Sequence, residues 1–158
     1  MEFLAGLHPK IIHFPIVLFI TYTLFEFLGA ITKKEFFSKS AHLLLFLGVL
    51  GAIAAVLTGN QAEAVANSWE KQGAIIQFHA IGEHEDYANI TLWFFAALLV
   101  LRTIVVLKKK FTGYVKYIFV AAAIVGCYFV YETGEHGGKL VYKYGLGTEL
   151  KKMEIQEK

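Results

Sequence analysis

Histidines are the residues of this chain best suited to chemistry, and five of the six lie at matching ends of its apolar stretches. His8 and His13 stand in LHPKIIHFPIVLF, ahead of an apolar run from Phe14 to Ile31 that only Glu26 interrupts. His79 and His84 precede another run beginning near Ala88, and His136 follows the far end of a run that starts at Tyr114. Imidazole is the usual nitrogen ligand for haem iron and also serves zinc, copper and non-haem iron. Two histidines facing each other could therefore hold a flat macrocycle by axial ligation. Alternatively, Glu83, Glu85, Asp86 and Glu135 could complete a His/carboxylate site for zinc or iron. No HExxH pattern is present, and the stretch GEHGGK has neither the spacing nor the strand-before-helix context of a phosphate loop. No nucleophile–base triad or deaminase motif occurs either. The single cysteine, Cys127, excludes an internal disulfide and the CxxCH motif of covalent haem attachment, and its apolar surroundings suit a small core hydrophobe.

The elements that must position these histidines follow from hydropathy. The chain has 158 residues, of which 56% are hydrophobic and 18% charged. Its mean hydropathy is +0.53, which suits a membrane protein rather than a soluble core. Four apolar spans are predicted, at about Ile11 to Ile31, His42 to Thr58, Ala88 to Leu107 and Tyr114 to Thr133. Pro9 and Pro15 are placed where a helix starts, where a missing N–H is harmless. With no basic residue before Lys10, a cleavable signal peptide is not expected. The segment Asn60 to Phe78 has small and apolar residues at intervals of three or four and reads as an amphipathic outer connection. The expected fold is all-α: an up-down-up-down four-helix membrane bundle over 1–148, with a charged tail at 149–158 and no evident internal repeat.

Charge sets the expected orientation. Lys33, Lys34, Lys39, Arg102, Lys108, Lys109, Lys110 and Lys116 flank the two inner connections against one acid, Glu35. The positive-inside rule then puts both termini outside, which in a bacterium is the periplasm. The net charge of +2 is too small to suggest nucleic acid. Within the spans, Glu26 is a costly carboxylate for which Arg102 or His42 is the expected partner, and the tyrosines near span ends read as an interfacial belt.

In such a bundle the first and third spans are diagonal, which makes His13 and His84 the expected pair, as haem or metal ligands. His136, His8 and His79 are the alternates. Small residues would leave room for the macrocycle: Gly48, Ala52, Ala55 and Gly59 on the second span, with Ala122 and Gly126 on the fourth. The same spacing also serves close helix packing alone. Lys139, Lys143 and Lys10 are the cations available to propionates.

The motifs HPKIIHFPIVL at 8–18, Thr58-Gly59, a histidine-led third span and TGEHGGKLVYKYGLG at 133–147 resemble a family of small bacterial four-span proteins. It is catalogued as domain of unknown function twenty-two thirty-one. The resemblance implies four helices in a bacterial inner membrane, and similar domains accompany c-type cytochrome modules, which implies redox work. The expected function is that of a b-type cytochrome-like electron carrier rather than a stand-alone enzyme. It would hold non-covalent haem b near the periplasmic face. Its partners would be a periplasmic c-type cytochrome or a membrane redox complex, with the bilayer around it and homo-oligomers open. The alternatives are a haem-free accessory subunit of a respiratory complex and a metal-ion binding membrane protein.

Overall fold

The structure, a computed structural model, describes residues 2–148; the charged tail expected at 149–158 lies outside the described residues. Among the described residues the chain is helical, with α1 at Glu2–Ile11, α2 at His13–Thr32, α3 at Glu35–Lys71, α4 at Phe78–Leu107 and α5 at Tyr114–Tyr142. Four stretches are long and apolar enough to cross a membrane: Phe3–Thr32, which joins α1 and α2, and then α3, α4 and α5. Exposed Phe14, Leu24, Trp93 and Ile124 would be a liability in water. In a bilayer they are the surface that lipid tails cover.

The elements differ from the sequence expectation at their outer ends. Pro9 lies inside α1 instead of starting a helix, whereas Pro15 does fall in the first turn of α2. Proline donates no hydrogen bond and crowds the preceding turn. The helix is interrupted for one residue at Ile12, whose backbone stays right-handed helical, so α1 and α2 run on as one span, and α1 packs against α3. The connection at 60–71 is helical but continuous with α3, because no strong breaker follows Thr58 until the left-handed Gly73. At 37 residues α3 is about 55 Å long, well beyond a hydrocarbon core of roughly 30 Å. GEHGGK, too, is helical, within α5.

Successive spans pack against each other, and α2 packs against α5, which closes a ring of four with spans one and three on a diagonal. Four spans bring Glu2 and Thr148 to one end, called here the terminal end, and leave the turns at 33–34 and 108–113 at the hairpin end. Contacts at three levels bridge the diagonal, with the Tyr22 ring also edge-on to Phe95 at 6.3 Å in the middle one. Nearest the terminal end, the His8 and His84 rings are 6.3 Å apart. Midway, Phe19 and Phe95 stack at 3.8 Å with planes 5° apart, both fully buried. Towards the hairpin end, Arg102 Nη2 meets Glu26 Oε2 at 2.9 Å.

These contacts reveal a repeat that the residue types conceal. His8, Phe19 and Glu26 are each 76 residues before His84, Phe95 and Arg102. On the other diagonal, Gly48 abuts the Phe19 ring as Gly126 abuts Phe95, and Gly59 abuts His8 as Gly137 abuts His84, a shift of 78. The bundle is thus two similar helical hairpins around a pseudo-two-fold axis along the helices, a parallel repeat of a kind that membrane proteins use.

Candidate functional site

At the terminal end, two imidazoles are held in the same manner by different helices. His8, near the end of α1, donates from Nδ1 to the Ala55 carbonyl of α3 at 3.0 Å, with the Thr58 hydroxyl at 3.2 Å. His84, two turns into α4, donates from Nδ1 to the Thr133 carbonyl of α5 at 3.0 Å. A carbonyl oxygen only accepts, so each Nδ1 carries the proton and each Nε2 keeps its lone pair. Neither Nε2 has a hydrogen-bond partner among the described residues. The carbonyl anchor fixes tautomer and orientation together, as it does for metal-ligating histidines.

Glycines make this approach possible. A Cβ at Gly137 would lie 2.9 Å from His84 Cε1, and one at Gly59 would lie 3.2 Å from His8 Cε1. Each glycine costs its helix up to about 1 kcal/mol relative to alanine, a cost accepted where a ring must lie against the backbone. One hydroxyl contact, Thr91 Oγ1 to Thr133 Oγ1 at 2.9 Å, ties α4 to α5 beneath His84.

Two imidazoles bonded to opposite faces of one metal, at about 2 Å per bond, have ring centres roughly 6 Å apart. The observed 6.3 Å, with planes at 75°, meets that requirement. Among the described residues no cluster of three His, Cys, Asp or Glu side chains suited to a metal forms. The carboxylate completion considered for Glu83, Glu85, Asp86 and Glu135 is therefore not assembled.

The other candidate residues fall elsewhere. His13 is exposed: five residues after His8, it is rotated roughly 140° around the helix, so the partner facing His84 is His8. His79 is also exposed, 3.6 Å from Glu83. His136 is part-buried beside the pair, donating from Nδ1 to the Glu132 carbonyl at 2.9 Å and stacking on Tyr87 at 4.6 Å. Of the small residues on α3, Ala55 and Gly59 reach the site, whereas Gly48 and Ala52 serve the core around Phe19. Lys139 is paired at 3.5 Å with Glu135. Thr133, Gly137, Phe19 and Phe95 are absent from the sequence-based set. The signal for them was the equal spacing of Gly48 to Gly59 and Gly126 to Gly137, set beside His8 to Phe19 and His84 to Phe95.

Glu26 has the partner expected from the sequence. Arg102, 1% exposed, bonds Glu26 through Nε at 3.1 Å and Nη2 at 2.9 Å, His42 through Nη1 at 3.0 Å, and the Ser38 carbonyl through Nη2 at 3.0 Å. The guanidinium also lies over the Phe111 ring at 4.5 Å. A guanidinium so fully engaged is a structural tie between the diagonal spans.

No curated protein and no solved structure matches the chain. Residues 5–150, nearly the whole chain, match the model of the family described as predicted membrane protein (DUF2231), and the chain belongs to that family.

Proposed function

We propose that this membrane protein holds one haem b non-covalently between His8 and His84 and works as a b-type cytochrome-like electron carrier. The observation that carries the reading is the ring pair itself: two carbonyl-anchored imidazoles with free Nε2 atoms, 6.3 Å apart on diagonal helices. His8 and His84 would each offer Nε2 to the iron, with the Ala55 and Thr133 carbonyls fixing the orientation of the rings. Gly59 and Gly137 let the rings seat against α3 and α5, while the Phe19–Phe95 stack lies eleven residues further along each helix, in the middle of the bundle. Bound iron of this kind supplies reversible one-electron chemistry, with a potential tuned by ligand basicity and burial. Lysines at the terminal end, Lys10 and Lys143, are available to propionates.

The basic residues at the hairpin end support an orientation with that end cytoplasmic, hence both termini periplasmic in a bacterial inner membrane. The haem would then serve a periplasmic c-type cytochrome or a membrane redox complex. The test is a visible spectrum and pyridine haemochrome assay on protein purified after expression with ample haem. A low-spin bis-histidine spectrum with one haem b per chain is expected, abolished by His8→Ala or His84→Ala and unaffected by His13→Ala. Wild-type protein without haem under these conditions overturns the reading in favour of a haem-free accessory subunit.

A further inference from the structure

His42 joins the Arg102 network at the hairpin end by a bond that only its neutral ring can make. Arg102 Nη1 lies 3.0 Å from His42 Nδ1. A guanidinium has no lone pair to offer, so Nδ1 accepts, and the proton of the neutral ring is on Nε2. A second proton would occupy the lone pair that Arg102 uses and set two cations in contact. Bond and imidazolium therefore exclude each other. Of the described side chains only the Tyr22 hydroxyl is fully buried without a hydrogen bond, so the Nε2 edge of the part-buried His42 ring is open at the flank of α3 and α4, beside Phe46 and Thr103. That side gives a released ring somewhere to go.

The surrounding charges leave the exclusion intact. Arg102 on α4 is the charge in contact with the ring, and the Glu26 carboxylate on α2 is taken up by Arg102 Nε and Nη2. Lys116 on α5 adds a further positive charge near Glu26, and on α3 itself exposed Lys39 pairs with Glu35 at 2.8 Å. None of the ion pairs among the described residues involves His42. Nor does the fold demand a polar side chain here, because the related place in the second hairpin, 78 residues on, holds buried Val120. Ser38 already gives the guanidinium two acceptors on α3, its carbonyl at 3.0 Å and its hydroxyl at 3.2 Å. An amide oxygen would complete that set at every pH, whereas imidazole does so only while neutral.

We propose that His42 is an acid-released latch: on taking a second proton its ring leaves Arg102 and loosens α3 from α4, while Glu26 and Ser38 keep the guanidinium in place. The latch does not depend on the haem reading. In the orientation proposed above it answers to the pH on the cytoplasmic side.

The test compares the full chain in detergent micelles with His42→Asn between pH 8 and pH 5, a range that spans the ordinary imidazole pKa of about 6.5. The amide oxygen so introduced stands at the same branch point as Nδ1 and accepts from Arg102 without titrating. In nitrogen-15 spectra His42 is expected to show a bare Nδ1 at pH 8 and a doubly protonated ring at pH 5. The Arg102 Nε–H signal should shift in the same step in the wild type and stay in place in His42→Asn. From pH 8 to pH 5 the folding equilibrium constant, read by chemical denaturation, should fall about tenfold more in the wild type than in His42→Asn, the other titrating groups being common to both. A proton on Nδ1 at pH 8, a ring still neutral at pH 5, an Arg102 signal blind to the step, or equal pH dependence of the two chains each overturns the proposal. Wild-type spectra alone decide the first three, so the proposal stays falsifiable if His42→Asn fails to fold.

Discussion

Two glycines beside the histidine pair provide a graded test. The Cβ added by Gly137→Ala meets the His84 ring at 2.9 Å, closer than real Cβ contacts come, so the imidazole or its helix must shift. Gly59→Ala brings a Cβ to 3.2 Å from His8, a looser approach that a shift of a few tenths of an ångström relieves. The haem-to-protein ratio is expected to fall severalfold in Gly137→Ala and by less in Gly59→Ala; the reverse order would place the tighter fit on the wrong hairpin. At the other end of the diagonal, Glu26→Gln removes the charge that balances a buried guanidinium. Loss of a buried partner costs about 3 kcal/mol. Chemical denaturation in detergent should register that loss, while the visible spectrum stays that of the wild type.

Between these polar ends, the elements carry a different burden. Gly48 and Gly126 let the Phe19 and Phe95 rings stack across the diagonal, each flush against the backbone of a neighbouring helix. Gly48→Ala would put a methyl group 2.6 Å from the Phe19 ring. Overpacking of that kind costs about 1 to 3 kcal/mol. A lower melting temperature with unchanged axial ligation is expected, whereas Gly51→Ala, whose Cβ would lie 3.3 Å from Pro15, should be milder. Pro9 and Pro15 act at the same scale. They flank the one-residue interruption at Ile12, and α1 packs against α3, where His8 reaches the Ala55 carbonyl. The lengths of α3 and α5 matter equally, since Gly59 and Gly137 act from turns at or beyond the limits of the apolar runs.

The whole molecule is a pseudo-symmetric pair of hairpins with unlike ends. Its terminal end carries the histidine pair on the axis, and its hairpin end carries the buried Glu26–Arg102 tie and most of the flanking lysines. Reporter fusions at Lys158 and in the turn at 108–113 are expected to give opposite signals, periplasmic and cytoplasmic respectively. A cytoplasmic signal from Lys158 would move the histidine pair to the other side of the membrane without altering its geometry.

From the sequence alone came the four spans, their alternation, the shared end of five histidines and the Glu26–Arg102 pair, because each depends on hydropathy, charge count or the cost of an isolated charge in lipid. Which histidine faces His84 was beyond such reasoning. His8 and His13 are five residues apart on one short stretch, and choosing between them requires the helix phase, which turns one ring inward and leaves the other exposed. The repeat was equally hidden, since hydrophobic positions facing lipid accept many residue types and leave only a few equivalent positions alike. Tertiary structure brought the candidate site together by setting two carbonyls, two glycines and two imidazoles at matching heights around one axis, a relation between helices that no single helix encodes.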